Sequence, residues 1–305
     1  MMASKDKVPY KPPQYISDRP IVPDAGWMLD WYLARHREAW NSWEQAENPT
    51  WRASSLGNCL RQQTLQRRGV PSARVIDDKT QRAFAWGDEV HKFIRKVFWR
   101  LGVVIEEEVD LASPSMQVVG HADLVWTPGG YTRDDEAQVS AEWSEEWNLF
   151  LTAIRQLFQD DLAAMRGVVD PSEVIGSEFK SAHSMAMKRM LNEGPHEHHK
   201  AQVAAYHLMA KEADPPIALA DRWLLTYIGK DSVGTLTFEM EEAWVEDALD
   251  RLTKLNQFWT AGRLPPCTCQ GWQVDYCPYN EGDLCCGRNL KGAVARALRK
   301  VEANA

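Results

Sequence analysis

The chain has 305 residues, a formal net charge of −8 and an apolar fraction of 44%. That is ample for one large domain with its own core, and the charge excludes a protein held to nucleic acid by bulk positive charge alone. No run of eighteen apolar residues occurs, which excludes a membrane-spanning helix and any membrane partner on that ground.

Residues 1–24 are rich in Pro and charge and carry no apolar stretch of the signal-peptide kind. They read as an irregular arm of a cytoplasmic protein (host cytoplasm, for a viral gene). Residues 25–45 have apolar positions at helical spacing. Residues 54–70 predict a capped helix, with Ser54 or Ser55 as N-cap and Gly69 at the stop, so that Cys59 falls in its first turns. Residues 79–102 predict a further helix ended by glycine. Between 52 and 100 the chain carries eleven basic side chains and four acidic ones, and between 101 and 175 the balance reverses. A basic lobe facing an acidic one suits a polyanion held on one side; two solvated helix faces give the same pattern. The fourteen Trp residues read as core and helix packing.

Residues 103–111 and 116–126 predict strands. Residues 136–167 predict one long helix or two shorter ones, within an acidic stretch of about 130–170. A strand follows at 173–182, a helix at 197–213, and a hairpin built from 222–230 and 234–240. Residues 241–266 predict a helix closed by Gly262 and a Pro pair. A Cys-rich segment, 267–286, precedes a basic helix within 291–305. The mixed order of helices and strands points to an α/β or α+β domain over residues 25–290.

Within "VIGSEFKSA", residues 174–182, Glu178 and Lys180 flank Phe179. On a strand they point to the same face, at the end of an apolar run where charge is costly. Asp123 ends a similar run in "VVGHADLVW". With the two strands as neighbours, Asp123 and Glu178 can share one divalent cation beside Lys180. A cation there polarises a phosphodiester oxygen and lowers the pKa of a bound water, and Lys180 offsets developing negative charge. A surface ion pair is the plainer reading of Glu-x-Lys alone. Gly87 and His91 lie one helical turn apart before this pair of strands, and Gln202 and Tyr206 one turn apart after it. Each couple shares a helix face. His196, His198 and His199 read as a solvated helix start, and His121 as a neighbour of the site at most.

Cys59 stands alone, whereas Cys267, Cys269, Cys277, Cys285 and Cys286 lie within twenty residues. In a reducing compartment such clustering reads as metal binding. Cys285 and Cys286 are adjacent, so one of them is expected to bind, and Cys267 and Cys269 pose the same choice.

The ordered set of a Ser-rich turn with Cys, Gly-x-x-x-His, Asp, Glu-x-Lys, Gln-x-x-x-Tyr and C-terminal Cys residues resembles the RecB-like branch of the PD-(D/E)xK nucleases. That branch includes the CRISPR-associated RecB-like exonucleases and the AddB-type nuclease domains. The likeness covers roughly residues 54–290. It implies a restriction-endonuclease-like α/β core, a central mixed sheet flanked by helices. It implies a Mg²⁺- or Mn²⁺-dependent deoxyribonuclease, with DNA as partner and roles in recombination, repair or end processing. His91, Asp123, Glu178 and the carbonyl of Phe179 become metal ligands, Lys180 the catalytic ammonium, and Gln202 and Tyr206 substrate contacts. Exonuclease action on single-stranded ends is the leading expectation. A flap or branch endonuclease and a silent DNA-binding module remain the alternatives. The likeness further implies a 4Fe–4S cluster on Cys59, Cys269, Cys277 and Cys285, with Cys267 and Cys286 as alternates. Four thiolates equally suit Zn²⁺. Relatives join the two site strands by a short hairpin; here about fifty residues intervene, expected as an insertion packed beside the site that serves as a lid or a protein-partner surface, with plain packing as the equal alternative.

Overall fold

The computed structural model describes residues 49–70, 78–131, 145–164, 170–214, 220, 222–229, 235–269, 273–274 and 277–279. The helices expected at 25–45 and 291–305, the N-terminal arm, Cys285 and Cys286 lie outside the described residues. Among the described helices none is long and apolar enough to cross a membrane.

Six strands form one mixed sheet: β1 (Trp51–Arg52), β2 (Val104–Ser113), β3 (Val118–Trp126), β4 (Ile175–Ala182), β5 (Arg222–Gly229) and β6 (Thr235–Glu239). β2 runs antiparallel along the whole of β3. The other edge of β3 has two partners. β1 pairs with it in parallel at Val118 and Val119, and β4 pairs antiparallel at Leu124, Val125 and Trp126. Residues 120–123 of that edge therefore lie in a fork, where β3 and β4 part. β4 and β5 pair in parallel over their full length, Ile175 opposite Arg222 through Ala182 opposite Gly229. β5 and β6 form the expected hairpin.

Facing changes across Asp123. Val118 and Ala122 belong to the main core, while Leu124 packs with Phe179 and Val104 in a separate cluster on the opposite face. On the neighbouring strand Glu108, opposite Asp123, has φ +51°, a conformation unusual for a non-glycine residue, and the β2–β3 register shifts between Val104 and Glu106. Arg95 pairs with the Glu108 carboxylate.

Among the described residues six α-helices are interleaved with the strands: α1 (Leu60–Arg67), α2 (Asp78–Leu101), α3 (Glu145–Ala164), α4 (Ser184–Glu193), α5 (Glu197–Glu212) and α6 (Glu242–Thr260). The helix expected from Ser54 begins later. Residues Ala53–Ser55 form a short 3-10 turn, neither Ser caps it, and Cys59 occupies the N-cap of α1 without a capping side-chain bond. The cause is packing: Ala53 and Leu56 are fully buried against the main core, so the chain turns inward before the helix starts. Gly69, Gly102 and Gly262 stop α1, α2 and α6 with φ near +65° to +69°.

α5 lies across one face of the sheet. Ala201, Gln202, Val203, Ala204, Ala205, Tyr206, Met209 and Ala210 are all buried, so the middle of this helix is enclosed on most sides, while its ends carry the charged residues. Its small residues admit α6 on one side and the sheet on the other. α2 covers the opposite face with Ile94 and Phe98 against Phe179 and Leu124. α3, the described part of the insertion, packs on α2: Arg155 donates to the carbonyls of Arg100 and Trp99 at 2.9 and 3.2 Å. Leu149, Phe150 and Leu157 of α3 face solvent.

Candidate active site and thiol cluster

The fork between β3 and β4 gathers the residues singled out in the sequence. Asp123 and Glu178 are 8% and 3% exposed. Asp123 Oδ1 lies 3.0 Å from His91 Nδ1, and Asp123 Oδ2 accepts the backbone N–H of Phe179 at 2.7 Å. It is thus the amide of Phe179 that meets Asp123. Glu178 Oε1 accepts from Lys180 Nζ at 2.5 Å and from Gln202 Nε2 at 2.8 Å. Glu178 Oε2 is buried and has no hydrogen-bond partner among the described residues.

α5 supplies the supporting contacts. Gln202 Nε2 also donates to the Tyr206 hydroxyl at 2.6 Å, and that hydroxyl donates to the carbonyl of His121 at 2.6 Å. Tyr206 reaches the strand because Gly120 has no side chain: a Cβ there would lie 2.8 Å from Tyr206 Cε1. His121 contributes its backbone, while its exposed ring pairs with Asp110. Gly87 on α2 faces Ser181 of β4, and one turn later His91 faces Asp123.

Burial, then the Asp123 carboxylate, raise the Glu178 carboxyl from 4.5 to about 7 against the pulls of Lys180 and His91. The Tyr206 hydroxyl is pushed upward by burial first and by Glu178 next. A buried acceptor without a donor, beside a second carboxylate, fits a hard divalent cation with oxygen ligands. In this arrangement the ligand atoms of His91, Asp123 and Glu178 do not all lie within 4.8 Å of one another; among the described residues that compactness is found at the thiols.

Cys59, Cys267 and Cys269 bring their sulfurs within 4.8 Å of one another. Cys59 and Cys267 Sγ are 3.9 Å apart, and the N–H of Thr268 points to Cys59 Sγ at 3.2 Å. Cys267 and Cys269, posed as alternatives by the sequence, both lie beside Cys59. Cys277 is buried in the same apolar cluster, with Leu65, Val274 and Tyr279, but it is not a member of the compact trio.

The start of α5 was expected to be solvated. Instead His196, His198 and His199 are half-buried, and His199 Nδ1 lies 2.5 Å from the Tyr227 hydroxyl. Tyr227 went unnoticed in the sequence. The available signal was the spacing of His199, Gln202 and Tyr206, which places the three on one helix face.

No family model and no curated protein matches the chain. Among solved structures it is similar to the crystal structure of SSO0001, at 16% identity and a TM-score of 0.45, over 87% of this chain and 98% of that one. It is also similar to an alkaline exonuclease (LHK-Exo) from Laribacter hongkongensis, at 9% identity and a TM-score of 0.41, over 74% of this chain and 93% of that one.

Proposed function

We propose that the chain is a metal-dependent DNA nuclease of the PD-(D/E)xK type, an exonuclease that hydrolyses phosphodiesters at single-stranded ends in recombination, repair or end processing. The observation that supports this best is the meeting of Asp123, Glu178 and Lys180 at the fork, with Glu178 Oε2 buried and lacking a donor. Asp123 and Glu178, with His91 beside them, would hold Mg²⁺ or Mn²⁺. Such an ion, when bound, polarises a phosphodiester oxygen and lowers the pKa of a water.

The chain's own groups do the rest. The Lys180 side chain is 22% exposed, so its ammonium can donate to a phosphate oxygen and offset the charge that grows there as the P–O bond breaks. Gln202 fixes Glu178, and Tyr206 fixes Gln202. His91 orients Asp123. Labelled single- and double-stranded DNA incubated with the protein and Mg²⁺ or Mn²⁺ tests the reading. Metal-dependent release of short products from single-strand ends is expected. Cuts confined to flaps or branches would indicate the endonuclease, and binding without cleavage the silent module. Failure both to bind and to cut refutes the proposal.

At the thiols we propose a structural metal centre: a 4Fe–4S cluster on Cys59, Cys267, Cys269 and a fourth thiol from Cys277, Cys285 or Cys286. Zinc is the second reading, and one distance favours it. Tetrahedral ligands about 2.3 Å from one ion lie about 3.8 Å apart, against 3.9 Å between Cys59 and Cys267. Iron and zinc content of anaerobically purified protein, with its visible absorbance, separates the two.

A further inference from the structure

Lys180 acts on the imidazoles of His198 and His199, which cluster with that of His196. The rings of His196 and His198 stack with centroids 5.5 Å apart and planes 18° from parallel. His198 and His199 have centroids 3.9 Å apart. Behind them the Tyr227 hydroxyl accepts the backbone N–H of His196 at 3.3 Å and lies 2.5 Å from His199 Nδ1. Tyr227 is the strand partner of Lys180, which brings rings and ammonium to one end of the site. The trio is anchored from outside as well. A Cβ on Gly57 would lie 1.9 Å from His198 Cα, so this loop packs directly on the start of α5.

The charged and titratable groups around the rings come from three packed elements and from α5 itself. Lys180 faces them from β4, Arg189 and Glu193 from α4, Tyr227 from β5, and Glu197 from α5. Glu193 is bound to Arg189 at 2.7 Å and Glu197 to Lys200 at 2.8 Å. Burial is the first cause that holds all three rings neutral. The rings themselves and Lys180 come next at His198 and His199, and Arg189 at His196; His198 is pushed down to about 4. The rings are half-buried, so a ligand can still reach them, and the cations that keep them neutral attract an anion.

We propose that His196 and His198, backed by the His199–Tyr227 pair, form a phosphate subsite for the DNA strand whose scissile phosphate lies at Lys180; this rests on the nuclease reading above. The ligand is the phosphodiester adjacent to the scissile one, or a terminal phosphate. An anion against the rings favours their charged form, so binding draws protons from solvent and strengthens as pH falls.

The test uses the full chain in EDTA, where metal-dependent cleavage stops, and an internally labelled oligothymidylate. Affinity is measured by anisotropy from pH 8 to pH 6 at constant ionic strength. Wild-type protein should gain about fivefold or more, and His196→Gln and His198→Gln should each lose most of that gain. Titration of wild-type protein with inorganic phosphate, followed by imidazole nitrogen NMR, should move His196 and His198 toward the charged form and leave His199 neutral. Equal pH slopes in wild type and both variants, or imidazole signals unmoved by phosphate, would overturn the subsite. Cleavage with Mg²⁺ is read separately. Cleavage with a flat pH slope sinks the subsite alone, and a retained slope without cleavage sinks the nuclease reading alone.

Discussion

Replacing Glu178 with Gln tests the electrostatic account of the fork without the substrate. The Glu178 carboxyl is raised from 4.5 to about 7, chiefly by burial. The folded state therefore keeps a proton that the unfolded chain has already released. That contribution to stability is fully present below pH 4.5 and is lost as pH rises to about 7. Roughly 2.5 units at 1.36 kcal/mol each gives about 3 kcal/mol. Gln has nearly the same shape, keeps an acceptor for Lys180 and Gln202, and carries no charge. In EDTA, Glu178→Gln should match wild type at pH 4.5–5 and exceed it by about 3 kcal/mol at pH 8, a rise in Tm of roughly 6 °C or more. Chemical and thermal melts at pH 5, 6, 7 and 8 read this directly. Mg²⁺ or Mn²⁺ at pH 8 should then stabilise wild type by mass action and leave the variant unchanged. Parallel pH curves for the two proteins would refute the claim that Glu178 is strained by its own charge.

Asp123→Ala should abolish cleavage while leaving circular dichroism and a cooperative melt, lowered by about 1–3 kcal/mol for the orphaned N–H of Phe179, whereas Lys180→Ala should lower kcat by about 10²-fold with little change in DNA affinity; near-normal rates in either would remove that residue from the site. Gly120→Ala places a Cβ 2.8 Å from Tyr206 Cε1 and 2.9 Å from Ala53 Cβ, so it should cost about 1–3 kcal/mol and reduce cleavage by displacing the support of Glu178, both measurable on one preparation. Cys59→Ser should strip the bound metal, read by elemental analysis, and lower stability by several kcal/mol, since metal binding at such sites is folding free energy; unchanged metal content would place the centre elsewhere.

Where the sequence could be read, the signal was local. Glu178 and Lys180 are two apart on a strand and do meet. Gln202 and Tyr206 are four apart on a helix and do share a face. Glycines stop three helices because the left-handed turn after a helix costs them nothing. Cys267 and Cys269 are also two apart, and both sulfurs lie near Cys59. What escaped was nonlocal. The capping role expected of Ser54 or Ser55 lost to burial of Ala53 and Leu56. The histidines at the start of α5 are covered by Gly57, from a loop 141 positions earlier in the chain (198 − 57), and no spacing within "GPHEHHKAQ" encodes that.

The fork also explains why this site stands in this place. A strand edge that loses its partner leaves backbone groups that must be satisfied. Here the pairing with β1 ends at Val119 and that with β4 begins at Leu124, so among the described residues no strand lies beside residues 120–123 of β3 on that side. The carbonyl of His121 is taken by the Tyr206 hydroxyl, and across the gap the N–H of Phe179 is taken by Asp123. The side chains that would bind a cation and substrate thus also close the hydrogen bonding of the parted strands. Glu178 completes the pattern in reverse: Lys180 and Gln202 both donate to one of its oxygens, and the other is left without a donor. Glu178 Oε2, a buried acceptor without a donor among the described residues and beside a second carboxylate, thus stands where a cation would relieve it.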